Sequence, residues 1–280
     1  MRARIATAAA RPAADNEDFA AVAPSAAVLL DGASMPAGVE SGCVHGVAWF
    51  ARTLGTALLA RACDPAGDPA SGPLAGCLRA AIDDVRAQHG ATCDLEHPWT
   101  PTATVVAIRV RGGELEHLVL ADSSLILTSV GGAMAVVTDR RLDTALHGTR
   151  SALREVPLRH PYYAAAFRDH MAAVQSRRNS AGGFWVAGAD PAVADYALTG
   201  STPLSSVESA LLVSDGASRL TDLFGLASWA DLAAIVRGDG PAELIRQVRV
   251  AEASDPDGAR WYRSKATDDA TIVYCDQFDE

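Results

Sequence analysis

Apolar positions along the chain change period several times, and each change marks an element. Arg4 to Ala9 and Phe19 to Leu30 carry short apolar runs. Pro24-Ser25 separates Ala20 and Val22 from Ala26 to Leu30, so the spacing predicts opening strands, the last two forming a hairpin. From Val44 the period lengthens. Val47, Phe50, Leu54 and Leu58 recur at three- and four-residue steps, which predicts a long helix ending near Cys63. After a turn-rich loop from Asp64 to Pro73, the positions Leu74, Leu78, Ala81, Ile82 and Val85 give a second amphipathic helix, stopping around His89-Gly90.

Strand patterns return at Thr102 to Val110 and Leu115 to Ala121, joined across Arg111-Gly112-Gly113-Glu114. Leu125 to Val130 and Ala133 to Thr138 make a further hairpin around Gly131-Gly132. A less regular region follows, roughly Asp139 to Ser205, with helical stretches near Ala145 to Glu155 and Tyr162 to Gln175. Leu211-Leu212-Val213 reads as a buried strand, Leu226 to Val236 and Ala242 to Ala253 as helices, and Thr271 to Cys275 as the closing strand. Strands and helices come in blocks, which favours an α+β architecture of antiparallel sheets with helices packed outside.

Composition narrows the field of partners. At 49% hydrophobic and 21% charged residues, the 280-residue chain can bury a full core as one domain. A formal net charge of −10 argues against nucleic acid or an anionic membrane. No apolar run approaches a membrane span. Five cysteines with no Cys-x-x-Cys pair point to a reducing, cytoplasmic setting and give no zinc pattern. The seven histidines show no His-x3-His or Glu-x2-His spacing and read as structural or exposed. No Gly-x-Ser-x-Gly elbow and no phosphate-loop sequence is present.

The chemistry lies in carboxylates that end apolar strands. The opening hairpin brings Glu17, Asp18 and Asp31 to one rim of a sheet. Asp122 follows another strand, Asp215-Gly216 ends a third, and Asp268-Asp269 precede the last. A single strand-end aspartate is an ordinary turn former. Several carboxylates buried together need a cation, and hard divalent ions take oxygen ligands of this kind.

In this order the segments Asn16-Glu17-Asp18, Asp31-Gly32, Thr102-Ala103-Thr104, Ala121-Asp122-Ser123, Val213-Ser214-Asp215-Gly216 and Asp268-Asp269-Ala270-Thr271 resemble the PPM-type (type 2C) metal-dependent serine/threonine protein phosphatases of bacteria. The resemblance spans nearly the whole chain. It implies a four-layer α-β-β-α sandwich with a magnesium or manganese pair at one end, and a variable, flap-like insertion over 139–205. By that similarity Asp31 bridges two ions, Glu17 and the Gly32 carbonyl hold one, and Asp215 and Asp268 hold the other. Asp18 orients the attacking water, and Asp122 matches a third, weaker ion position. The implied reaction is hydrolysis of phosphoserine or phosphothreonine monoesters by water activated between two cations.

Four departures accompany the match. The family's phosphate-gripping arginine falls at Ala13, and Arg11 is the nearest substitute as a substrate-binding residue. Ala33-Ser34 stand in a usually glycine-rich tail, Ala121 replaces a glycine, and Asp269 stands where asparagine is common. The first departure motivates one alternative, a phosphatase of a small phosphorylated metabolite; a second alternative, of another class, is a catalytically silent family member acting as a regulatory binding module. Arginines from Arg140 to Arg178, including Arg177 and Arg178, stand out in an acidic chain as a substrate-recognition patch or a solvated face. Trp185 reads as a core anchor.

Overall fold

The computed structural model describes residues 1–12, 14–33, 39–63, 72–89, 92–154, 156 and 160–278, the side chain of Arg154 aside. Ala13, Ser34, the 64–71 loop and Arg159 lie outside the described residues. Among the described residues, ten strands form two five-stranded sheets. The first contains β1 (Arg2–Ala8), β10 (Ala270–Asp276), β9 (Val207–Val213), β6 (Ser124–Ser129) and β7 (Met134–Thr138), in that spatial order. The second runs β2 (Asp18–Ala23), β3 (Ala26–Gly32), β4 (Ala103–Arg111), β5 (Glu114–Leu120) and β8 (Leu198–Pro203). Every pairing is antiparallel.

Central strands are apolar on both faces because each face meets a different layer. Val28 and Leu30 of β3, with Val105 and Ala107 of β4, face α1 (Val47–Ala62) and α2 (Leu74–His89). Their neighbours Leu29, Val106 and Ile108 turn the other way and meet Leu125, Leu212 and Val273 of the first sheet. On that sheet's outer face, Leu211, Val213 and Ile272 pack against α5 (Asp215–Asp222), α6 (Trp229–Asp239) and α7 (Pro241–Ser254). This is the period-two alternation of strands buried on both sides. The four-layer α-β-β-α sandwich follows directly from it.

Two further helices, α3 (Arg141–Arg154) and α4 (Tyr163–Arg177), stand at one end of the sandwich. Leu146 of α3 packs with Ala121, Phe184 and Val186 in a small separate core. Trp185 stacks on Tyr196 with ring centroids 3.5 Å apart and packs against the helix side of the second sheet, as a core anchor should. Two elements escape the sequence pattern. β8 lies inside the stretch read as irregular, because Leu-Thr-Gly-Ser-Thr-Pro offers one large apolar residue at an exposed edge. α5 is a two-turn helix hidden behind an Asp-Gly pair that reads as a turn.

Candidate active site

The expected carboxylates gather at one end of the two sheets. Asp18 opens β2 and sits directly opposite Asp31 of β3 in the antiparallel register. Gly32 closes β3, and its backbone N–H donates to the Glu17 carbonyl at 3.2 Å. A side chain at Gly32 would place its Cβ 2.4 Å from Val47 Cγ1 and 2.7 Å from the Glu17 carbonyl oxygen, so only glycine fits beside this acid. The second Asp-Gly pair obeys the same rule. A Cβ on Gly216 would come within 1.9 Å of the Asp269 carbonyl oxygen, where α5 starts against the turn before β10. Asp215 thereby becomes the first residue of α5, at the end of a helix that favours negative charge.

Electrostatics show how close these groups are. Burial, then the charges of Asp18, Asp215, Asp268 and Asp122, raises the proton affinity of Asp31 well above the carboxylate range. Asp18 is pushed up to about 7, first by burial, with Asp215 and Asp269 adding to the effect. Both of its oxygens are buried without a hydrogen-bonding partner. The Ser214 and Thr271 hydroxyls offset part of that shift, although Thr271 Oγ1 lies 2.7 Å from Thr7 Oγ1 and Ser214 Oγ accepts from the Thr271 N–H at 2.9 Å. Asp122 also rises to about 7, from burial and then Asp215. Orphaned oxygens and mutually raised proton affinities are features that a divalent cation would relieve, and an all-oxygen donor set fits magnesium or manganese.

Asp268 is already neutralised. Its Oδ2 accepts from Arg219 Nη2 at 2.8 Å and its Oδ1 from Lys265 Nζ at 2.9 Å. Arg219 is buried and also donates to Glu252 at 2.6 Å, while Arg249 holds Glu252 at 2.8 Å and the Asp268 carbonyl at 2.6 Å. Burial opposes the charge on Lys265, but Asp268, Asp215 and Asp31 outweigh it and hold the lysine protonated. Lys265 carries no sequence signal, being one basic residue in a polar loop.

The carboxylates open into a cleft of about 450 Å³ lined by Asp122, Asp215 and Asp268 together with Arg140, Arg150 and Arg219. A smaller recess of about 200 Å³ beside it contains Asp31, Gly32, Arg178 and Lys265, and shares Asp122 and Arg150 with the first.

A family model described as protein phosphatase 2C matches residues 11–248. The chain belongs to the protein phosphatase 2C family. The serine/threonine phosphatase PstP/Ppp of Mycobacterium tuberculosis is similar in fold, with 19% sequence identity, coverage of 98% of this chain and 97% of that one, and a TM-score of 0.58. A PstP catalytic domain in complex with two manganese ions gives 15% identity, coverage of 98% and 97%, and a TM-score of 0.53. The PPM Ser-Thr phosphatase MsPP from Mycobacterium smegmatis, in complex with cacodylate, gives 18% identity, coverage of 99% and 98%, and a TM-score of 0.55. No curated protein matches the chain. Family membership makes the chain a phosphatase-family hydrolase with the family's two-sheet α+β fold.

Against the protein phosphatase 2C pattern, the departures have physical readings. Ala121 adopts φ 68°, in the left-handed region that favours glycine. Asp269 is buried rather than exposed at the surface. Its carboxylate accepts from the Ala10 and Glu17 N–H groups at 2.6 and 2.7 Å, tying the segment before β2 to the turn before β10. Arg11 is exposed and lines neither cleft, whereas Arg150 and Arg178 line the acidic recess. Burial lowers the proton affinity of Arg178, whose Nε is buried without a partner. Arg177, one residue earlier, is exposed at the end of α4.

Proposed function

We propose that the protein is a magnesium- or manganese-dependent phosphatase acting on phosphoserine and phosphothreonine monoesters. The observation that carries this reading is the convergence of Asp18, Asp31, Asp122, Asp215 and Asp268 beside an arginine-lined cleft. In this reading Glu17, Asp31 and the Gly32 carbonyl would hold one ion, and Asp31, Asp215 and Asp268 would hold a second. Asp122 belongs to a weaker third position. The manganese pair reported for PstP is consistent with such a donor set. When bound, two such ions supply Lewis-acid activation of water and charge neutralisation at the phosphoryl oxygens.

The chain's own groups do the rest. Asp18 accepts a hydrogen bond from the attacking water and sets its direction, a task suited to a buried carboxylate with both oxygens free. Arg150 and Arg178 bind phosphoryl oxygens, where a guanidinium fork is geometrically matched. Arg219 fixes Asp268 by taking one of its oxygens. No covalent phosphoenzyme is required, so no Cys-x5-Arg loop is needed.

Hydrolysis of para-nitrophenyl phosphate with manganese tests the reading. Asp31→Asn and Asp215→Asn should each lower kcat about a hundredfold or more, because each removes a carboxylate that would hold the cations whose positive charge offsets the transition state. A folded wild type that is inactive at saturating manganese would instead favour a binding module. Because Arg11 lies outside both clefts, phosphopeptides and small phosphometabolites should be compared in the same assay.

A further inference from the structure

Where the segment before α1 meets the end of α2, four soft donors come together that the sequence spacing does not bring together. Cys43 and His45 lie on the segment leading into α1, His89 is the last residue of α2, and Cys93 lies four residues beyond it. One ligand atom from each lies within 4.8 Å of all the others. Cys93 Sγ is 3.4 Å from Cys43 Sγ and 3.3 Å from His45 Nδ1, and Cys43 Sγ is 3.7 Å from that nitrogen. Tetrahedral zinc with Zn–S near 2.3 Å and Zn–N near 2.0–2.1 Å places its ligand atoms about 3.4–3.8 Å apart. The cluster is thus already near the required size.

We propose that Cys43, His45, His89 and Cys93 form a structural zinc site, separate from the carboxylate centre. His89 supplies an independent sign of a missing ligand. It is 3% exposed, and its Nε2 is buried with no hydrogen-bonding partner. The Val85 backbone hydrogen-bonds the ring, which leaves Nε2 as the free donor. Aromatic packing fixes both imidazoles. His45 stacks on Trp49 at 4.2 Å between centroids, and His89 meets Trp49 edge-on at 4.9 Å. The two legs are also joined through the backbone, since the Asp94 N–H donates to the Gly42 carbonyl at 2.8 Å.

Two thiolates and two neutral imidazoles cancel the charge of zinc, so the filled site costs little to bury. Four protein ligands leave no open position, which makes the site structural. Sulfur and imidazole donors select zinc, while the carboxylate rim selects harder ions, so the two sites do not compete for one metal. Zinc here would pin the start of α1 to the end of α2. Val47, two residues after His45, is the residue that abuts Gly32 at the carboxylate rim. The staple therefore also holds one wall of the site proposed above, although its existence does not depend on phosphatase activity.

Metal content tests this directly. Protein purified under reducing conditions and dialysed against a mild chelator should lose manganese and magnesium yet retain about one zinc per chain. Cys43→Ser with Cys93→Ser should bring zinc below about a tenth of that. Should this variant not fold, cobalt reconstitution of the wild type decides. The expected spectrum has thiolate-to-cobalt charge transfer and intense tetrahedral d–d bands. His45→Cys should keep the metal and raise the charge-transfer band about 1.5-fold, through a third thiolate. Absence of zinc together with a featureless cobalt spectrum, zinc retained in full by the double variant, or a metal-free Cys43–Cys93 disulfide would each overturn the proposal.

Discussion

Single residues at the rim are held in states that make sense only with their neighbours. Ala121 sits at φ 68°, in the left-handed region that an alanine enters at a cost of about 1–2 kcal/mol. Its buried methyl group, 3% exposed within the small core of α3 and Phe184, returns about 0.8 kcal/mol. Ala121→Gly should therefore stabilise the fold by less than about 1 kcal/mol, moving the urea midpoint upward with an unchanged slope. A lower midpoint would show that packing of the methyl outweighs the backbone strain. Arg219 is a sharper case. It lies buried between Glu252 and Asp268, and Arg219→Ala would leave Glu252, 2% exposed, with only Arg249 to neutralise it. A loss of about 3–5 kcal/mol in urea unfolding is expected. Lys265 acts in the opposite sense on cations. It occupies one oxygen of Asp268 and adds positive charge to the rim, so Lys265→Met should tighten manganese binding about tenfold by calorimetry. Weaker binding in that variant would place Lys265 among the groups that organise the site.

At the scale of elements, α3 and α4 bring arginines to the acidic cleft from outside the two sheets. Arg150 comes from α3, and Arg178 follows the last residue of α4. Arg150→Ala and Arg178→Ala should each raise KM for a phosphopeptide about tenfold with little change in kcat, the sign of binding shared by ground and transition states. Unchanged KM in both variants would return these arginines to structural roles, and Arg177→Ala serves as the exposed control. The element pattern itself was largely legible because β3, β4, β9 and β10 are apolar on both faces, and α1 and α2 carry one clean apolar stripe each. The rim carboxylates were legible for a related reason: the Asp18–Asp31 pairing follows from a tight turn at Pro24-Ser25 and a strict strand register. What sequence could not show is whatever depends on distant segments meeting. β8 is recognisable only by its pairing with β5, and Lys265 only by its contact with Asp268. The Cys-His cluster combines Cys-x-His with His-x3-Cys, 44 positions apart from His45 to His89, a pattern that becomes a site only once α1 and α2 lie side by side.

For the whole molecule, the decisive property is that two sheets deliver their carboxylates to the same end, so folding itself creates repulsion that a cation would relieve. Asp18 and Asp122 have ordinary values of 3.8 that folding raises to about 7. Between those limits the folded state binds more protons than the unfolded one, so unfolding free energy falls as pH rises. Raising one such carboxylate from its ordinary value to about 7 corresponds to about 4 kcal/mol over the full span. Because the repulsion is shared among coupled carboxylates, the metal-free protein should lose about 2–4 kcal/mol between about pH 5 and about pH 8. Manganese would bind the deprotonated form, so its stabilising effect should grow across the same interval and offset that loss. Urea midpoints measured at about pH 5.5 and about pH 7.5, in chelator and in excess manganese, test both slopes. Asp31→Asn removes the group facing the other four and should flatten the chelator series while weakening the manganese effect. A chelator series that rises with pH would mean that the carboxylates are relieved by Lys265 and Arg219 alone, and the rim would then be a closed ion network rather than a receptive one.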